Sequence, residues 1–280
     1  MALKLMYITN NVDVAQIAQS NGVDRIWIDL EELDKEVRQP GLDTVKSHHT
    51  IEDIQVMRPY INKSELLVRI NHWNNNSKEE INRVIAAGAD IIMLPYWKTI
   101  DEVKSFLDEV NGRCKTILLL ETKEGVELLD EVLRQGGFDE IHIGLNDLHL
   151  AYKKDFMFEL LANGTVELLC NKISRYNIPY GFGGIAKMGA GKIPAEKILL
   201  EHYRLGSSMV ILSRTFCNTL DMDLERISKE FEEGVKAIRR LESKIDRMTE
   251  TEFESNMNDI KLCVGDIVRE IKGVKKSDNE

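Results

Sequence analysis

The sequence predicts an α/β chain folded as a (β/α)8 TIM barrel with a C-terminal helical extension. Three observations predict it. Eight short apolar runs recur along the chain, amphipathic stretches of helical period alternate with them, and the length of 280 residues lies close to the ~250 typical of such a barrel. Most of the runs are β-branched or almost continuously apolar, as parallel strands buried on both faces require. The alternative α/β architecture is a doubly wound open sheet. No G-x-G-x-x-G follows the first run, which lowers that alternative.

In chain order the expected strands are Leu3–Thr9, Arg25–Glu32, Glu65–Asn71, Asp90–Tyr96, Lys115–Thr122, Glu140–Asp147, the glycine-rich Pro179–Ala186, and Ser207–Phe216. Leu33–Thr50, a long polar connection containing Pro40-Gly41, interrupts the repeat and has the length of a lid or binding loop. Ser77 and Glu80 spell a capping box ahead of Ile81, Val84 and Ile85, with Gly88 as the stop. Thr99, Asp101 and Glu102 open a second helix, which puts Val103, Phe106 and Leu107 on one face. A third follows Glu121 with Val126, Leu129 and Val132, and ends at Gly136-Gly137. Pro194 starts a fourth, carrying Ile198, Leu199 and Tyr203. Beyond the eighth strand, Leu224, Ile227, Phe231, Val235 and Ile238 form one stripe. Phe253, Met257, Ile260, Val264, Ile267 and Ile271 form another. Such stripes are core or subunit interface. The expected organisation is a barrel over 1–216 and a helical hairpin over 217–280 beyond it, with Lys275–Glu280 as a frayed polar tail.

Composition narrows the function. The net charge is −10, with 43% hydrophobic and 30% charged residues. An acidic chain repels phosphate backbones, so no nucleic-acid partner is expected. No run approaches the ~20 apolar residues of a membrane span, and the apolar part of Met1–Asn11 is too short for a secretory signal. The cysteines Cys114, Cys170, Cys217 and Cys263 are far apart, with no C-x-x-C pair. They read as reduced thiols of a cytoplasmic protein.

Active sites of parallel barrels lie at the C-terminal strand ends, so polar residues closing apolar runs are the candidates: Asp29, Glu31 and Glu32, Arg69 and Asn71, Glu121, and Asp147. Glu121 and Asp147 close consecutive strands, whose axes should lie ~4.8 Å apart. Two carboxylates so placed repel each other, and a hard dication removes the conflict, leaving room for water and a chelating oxo acid. The alternatives are a Lys or Arg partner for Glu121 and a helix-capping role for Asp147. Arg69 ends an otherwise apolar strand, where a guanidinium needs an anion. That anion is either a substrate carboxylate or enolate oxygen, or Asp29 or Glu31 inside the barrel. Gly189-Ala190-Gly191-Lys192-Ile193 is not a phosphate loop, because Ile193 replaces the required Ser/Thr. Of His48-His49, one ring at most reaches the site, as a general base on the long loop or else as a solvated residue. His142, between Ile141 and Ile143, is expected to pack between sheet and helices.

Ile28–Glu32 (IDLEE), Val68–Asn71 (VRIN) with Trp73-Asn74, Gly88–Pro95 (GADIIMLP), Leu118–Thr122 (LLLET) and Ile143–Leu148 (IGLNDL) occur in that order. As an ordered set they resemble the HpcH/HpaI aldolase and citrate lyase β-subunit family over roughly 2–216. The resemblance implies a barrel of the phosphoenolpyruvate/pyruvate type and a bond made or broken beside an enolate of pyruvate or an acyl-CoA. It also implies C-terminal helices in oligomer contacts, hence a homo-oligomer. Carried over by residue, it implies a divalent metal (Mg2+, Mn2+ or Co2+) on Glu121 and Asp147, with Arg69 as enolate stabiliser. The amides around Asn146 and Asp147 would hold the substrate carboxylate. Asp29 matches the first position of the aldolases' D-x-E-H, whereas Glu32 stands where they have histidine. Leu119 and Leu145 replace the usual Gln and Pro. The I-D-L-E spelling leans toward the citrate lyase side. The expectation is therefore a metal-dependent carbon–carbon lyase (an aldolase) acting on a 2-oxo acid, with a metal-bound water, Glu32 or His49 as base. An acyl-CoA lyase and an inactive oxo-acid-binding barrel are the alternatives.

Overall fold

Eight parallel strands form where the apolar runs stand: β1 (Lys4–Ile8), β2 (Arg25–Asp29), β3 (Glu65–Arg69), β4 (Ile91–Leu94), β5 (Lys115–Leu120), β6 (Glu140–Ile143), β7 (Tyr180–Ile185) and β8 (Met209–Leu212). Each pairs with the next, and β8 pairs with β1 through Lys4↔Met209 and Leu5↔Val210, closing the barrel. This computed structural model describes residues 2–33 and 48–277. Most of the expected lid Leu33–Thr50, and the end of the expected polar tail, therefore lie outside the described residues.

The helices are α1 (Val12–Ser20), α2 (Ile51–Met57), α3 (Ser77–Ala87), α4 (Ile100–Val110), α5 (Lys123–Gln135), α6 (Leu145–Ala151), α7 (Glu159–Ala162), α8 (Thr165–Ser174), α9 (Ala195–Arg204), α10 (Leu224–Ile245) and α11 (Glu250–Ser277). Thr99 and Glu102 make a reciprocal capping box at α4, and Gly88 ends α3 in the left-handed region. The box expected from Ser77 and Glu80 does not form. The chain enters α3 through a turn at Asn74–Asn76, which draws Ser77 inside the helix. Its hydroxyl accepts the Asn74 N–H (2.8 Å), and Glu80 reaches back to Asn71 instead.

Strand alternation divides the core. Residues such as Ile26, Val68, Leu118 and Ile143 face the helices. Met6, Trp27, Leu67, Ile91, Met93, Ile117, Leu119 and Met209 fill the barrel interior. Below them lies a layer the sequence reading did not anticipate. Arg25, with no exposed surface, donates to both oxygens of Glu140 (2.6 and 2.7 Å) and to Glu65 (3.0 Å). Lys4 and Lys115 add a second cation to each carboxylate. Arg25 holds Glu140, and Lys115 together with Arg25 holds Glu65, below the usual carboxylate range despite their burial. Removing one partner of a buried pair strands the other. Arg25→Met should therefore cost about 3–5 kcal/mol in urea unfolding near neutral pH, and adding Glu140→Leu should recover much of it.

The first helix of the expected 217–280 hairpin lies on the barrel itself. α10 packs along α1 and buries Ile227, Phe231, Val235 and Ile238. Phe231 meets Tyr7 edge-on at 4.8 Å. It thus takes the outer-ring place between β8 and β1, which a closed barrel leaves apolar and uncovered without it. α11 crosses α9, where the Asn256 side chain donates to Glu201 (2.9 Å). Among the described residues no helix is long and apolar enough to cross a membrane.

Candidate functional site

Parallel pairing sets Asp29 beside Arg69 in register, so both side chains leave the strand ends on the interior side. Arg69 grips Asp29 with two bonds of 2.8 Å, from Nε to Oδ1 and from Nη2 to Oδ2, and its Nη1 lies 3.2 Å from Glu31 Oε2. The guanidinium stands 5.3 Å from the Trp27 ring centroid, within cation–π range. Burial alone would lower the Arg69 pKa, but Asp29, Glu31 and Glu121 reverse this and hold it well above the usual value. Of the partners left open by the sequence, the structure shows the internal carboxylates.

Glu31, not Glu32, is the carboxylate turned inward. Glu31 is 1% exposed, whereas the Glu32 side chain is 60% exposed and faces His48 at 3.5 Å. Among the described residues Glu32 does not stand in the dry rim expected for it, because its side chain faces outward. The cause is alternation: 29 and 31 share a side, and the rule runs two residues past the end of β2. Asn71 fixes this segment. Its Oδ1 accepts the N–H groups of Glu32 (3.0 Å) and Leu33 (3.1 Å), while its Nδ2 donates to Glu80 (2.8 Å).

His49 reaches the end of β2, where its Nδ1 accepts the Asp29 N–H at 3.0 Å. A neutral ring whose Nδ1 is an acceptor carries its proton on Nε2. With Nδ1 so engaged, a neutral His49 presents an N–H at Nε2. His142 departs from expectation as well. Ile141 and Ile143 face the helices, so His142 points into the barrel, where Nε2 lies 3.1 Å from the Gly183 carbonyl. The histidine between sheet and helices is His202, stacked on Phe182 at 3.8 Å.

On the opposite side of the mouth, β5 ends at Leu120, and Thr122 caps α5 by accepting the Gly125 N–H (3.0 Å) and donates to the Trp97 carbonyl (2.6 Å). Glu121 is pinned between strand and cap, 3% exposed, with Oε1 accepting the Tyr96 N–H at 3.1 Å. Asp147 is not at a strand tip. β6 stops at Ile143, Gly144 is the N-cap of α6, and Asp147 is the helix's third residue, 9% exposed, with Asn146 before it. First-turn amides lack partners within a helix, which is the physical basis of the expected carboxylate contact at Asn146 and Asp147.

Glu121 and Asp147 offer only hard oxygen donors. The bare Cα of Gly144 admits Glu121, since a Cβ there would stand 2.6 Å from Oε2. Among the described residues no cluster of three or more His, Cys, Asp or Glu is arranged to hold a metal. Two carboxylates alone would fill only part of a hard cation's shell and leave the rest to water and substrate, as Mg2+ binding allows. A cavity of about 690 Å3 opens at the other end of the barrel, but its cations Arg58 and Lys115 are paired with Asp90 and Glu65.

No curated protein matches the chain. Among solved structures, the HpcH/HpaI aldolase from Desulfitobacterium hafniense DCB-2 superposes with a TM-score of 0.60 at 16% identity, covering 85% of this chain and 93% of that one. An HpcH/HpaI aldolase/citrate lyase family protein from Burkholderia cenocepacia J2315 gives 0.60 at 13%, covering 85% and 95%. Tryptophan synthase from M. tuberculosis gives 0.58 at 14%, covering 85% and 92%, so these likenesses establish the barrel and not the reaction. The family profile is more specific: it matches residues 4–155, which carry β1 to β6 with Asp29, Arg69, Glu121 and Asp147. The chain belongs to the HpcH/HpaI aldolase/citrate lyase family.

Proposed function

We propose that the protein is a divalent-metal-dependent carbon–carbon lyase of the aldolase type, acting beside the keto group of a 2-oxo acid. The observation that carries this reading is the mouth itself. The Arg69 guanidinium on β3 feels the charge of the buried Glu121, and the buried Asp147 lies in the first turn after Gly144, against which Glu121 packs. Glu121 and Asp147 would hold the cation, which when bound supplies Lewis acidity toward the substrate carboxylate and keto oxygens. Asp29 and Glu31 fix the plane of Arg69, whose guanidinium carries more N–H groups than these two contacts use. The remaining N–H groups can meet the keto oxygen as cleavage of the carbon–carbon bond moves an electron pair onto it. In the cleavage direction the hydroxyl of the departing fragment gives its proton to water as that fragment becomes a carbonyl, and the enolate takes a proton from solvent. His49 would hydrogen-bond the departing oxygen from Nε2. The amides of Asn146 and Asp147 receive the substrate carboxylate. The four cysteines are unbridged, in keeping with the cytoplasmic reading. The subunit contact falls to α11, whose Leu262 is 69% exposed; solution mass tests it.

Exchange of deuterium from solvent into pyruvate tests the reaction. Mg2+ or Mn2+ should support exchange, EDTA should abolish it, and added Mn2+ should restore it. Exchange into small acyl-CoA substrates alone would move the activity to the thioester lyases. Metal binding without exchange into either substrate would leave a binding protein.

A further inference from the structure

We infer that the main chain of Tyr96 and the missing side chain of Gly144 are the positioning elements that set the Glu121 carboxylate, so that replacing either feature misplaces it. The inference rests on the metal-dependent reading for its consequence, not for its geometry. Three observations meet at Glu121. Tyr96 has φ +52°, a left-handed conformation that a bulky L residue rarely adopts, and the N–H so presented donates to Glu121 Oε1 at 3.1 Å. Backbone strain of this kind persists where surrounding contacts require it. On the other side, Gly144 has φ −83° and ψ 95°, which any residue can adopt. Glycine is therefore not needed there for its backbone. It is needed because a Cβ would stand 2.6 Å from Glu121 Oε2 and 2.8 Å from Glu121 Cβ. The Glu121 backbone has little room to yield, since Thr122 next to it is tied to Gly125 and Trp97. The side chain must turn, and in turning it leaves the Tyr96 amide. The turn after β4 thus orients the carboxylate from one side while the N-cap that follows β6 makes room for it on the other.

Two measurements on the full-length protein test this. Mn2+ titration followed by electron paramagnetic resonance should show Gly144→Ala binding on the order of 10–100-fold more weakly than wild type, the usual effect of disturbing the support of a metal ligand. Tyr96→Gly takes the left-handed backbone without strain and keeps the N–H while losing the ring's contacts with His72 and Lys98, so the folded variant should hold Mn2+ within about threefold. Amide hydrogen exchange at Tyr96 reads the contact without metal, and should speed up by about tenfold or more in Gly144→Ala as the hydrogen bond is lost. Unchanged Mn2+ affinity and unchanged Tyr96 exchange in a folded Gly144→Ala protein would overturn the inference. So would a loss of Mn2+ binding beyond about tenfold in a folded Tyr96→Gly protein, because the main-chain amide would then not be what matters. If wild type binds no Mn2+, the metal-dependent reading fails, and Tyr96 exchange in Gly144→Ala still decides the positioning claim.

Discussion

Arg69→Ala should lose turnover on the order of 10²–10³-fold and, separately, about 3–5 kcal/mol of stability. The two losses have different origins. Turnover falls because the N–H groups that would meet the keto oxygen disappear while the rest of the mouth remains. Stability falls because Asp29 and Glu31, each 1% exposed, lose a guanidinium that holds one of them with two bonds of 2.8 Å. Arg69→Lys separates them. A lysine keeps the charge and so retains part of the stability, but it cannot reproduce the planar two-point grip, and its ammonium is drawn to whichever carboxylate is nearer. The expected order of stability is wild type, Arg69→Lys, Arg69→Ala, with turnover already down by about tenfold or more in the lysine protein. Urea unfolding near neutral pH and metal-supported deuterium exchange measure the two quantities on the same preparations. An Arg69→Ala protein that exchanges within a few-fold of wild type would remove Arg69 from the chemistry and leave it a structural ion-pair centre.

What the sequence disclosed follows from which interactions are local. The barrel was legible because a buried parallel strand must be apolar on both sides, and Leu118–Leu120 or Ile91–Leu94 can satisfy that only as interior strands. Glu121 was legible for the same reason in reverse: a carboxylate directly after such a run, followed by a capping threonine, can lie only at the rim. Strand ends were less visible. Asp147 was assigned to β6 because hydropathy continues through Leu145, whereas the chain turns into α6 at Gly144. Glu31 was obtainable from period two alone, by counting on from Asp29, and a family position drew attention to Glu32 instead. Contacts between distant segments left no periodic trace. Nothing around Arg25 announces Glu140, 115 residues away, and the Asp29 amide meets His49 20 residues later. The strained Tyr96 has no sequence signature either, since an aromatic after Pro95 looks like a continuation of the strand. Most of the fold was therefore readable, together with the carboxylates and the arginine proposed for the site and that arginine's partners Asp29 and Glu31, but not the Tyr96 amide that meets Glu121.

Acid should destabilise this protein at a higher pH than its carboxylates alone would require. His142 and His202 are both fully buried, and burial pushes their pKa values down to about 4 and about 3 from an ordinary 6.5, with Arg25 also acting against charge on His142. The geometry agrees. The His142 Nε2–H is the donor to the Gly183 carbonyl, so a second proton would go on Nδ1, a buried atom with no partner that faces the wall formed by Gly181 and Met209. His202 pairs Nδ1 with Ser207 at 2.8 Å, while its buried Nε2 has no partner among the described residues. Stacking on Phe182 does not replace the lost water. Unfolded chains bind the protons near pH 6.5, whereas the folded protein refuses them until near pH 4 and 3, so stability is full above about pH 6.5 and falls as pH drops through that window. Between about pH 7.5 and pH 5 each ring should remove about 2 kcal/mol. Glu65 and Glu140, whose pKa values are lowered, add to the loss only near and below their unfolded value of 4.5. Glu80 and Glu201, raised by burial, oppose it and blunt the slope. Urea unfolding at the two pH values reads the total, and His142→Gln and His202→Gln isolate each ring, since either should flatten the dependence by about 2 kcal/mol. A wild-type stability that does not change over this range, with either glutamine variant equally flat, would mean that both rings accept protons in the fold.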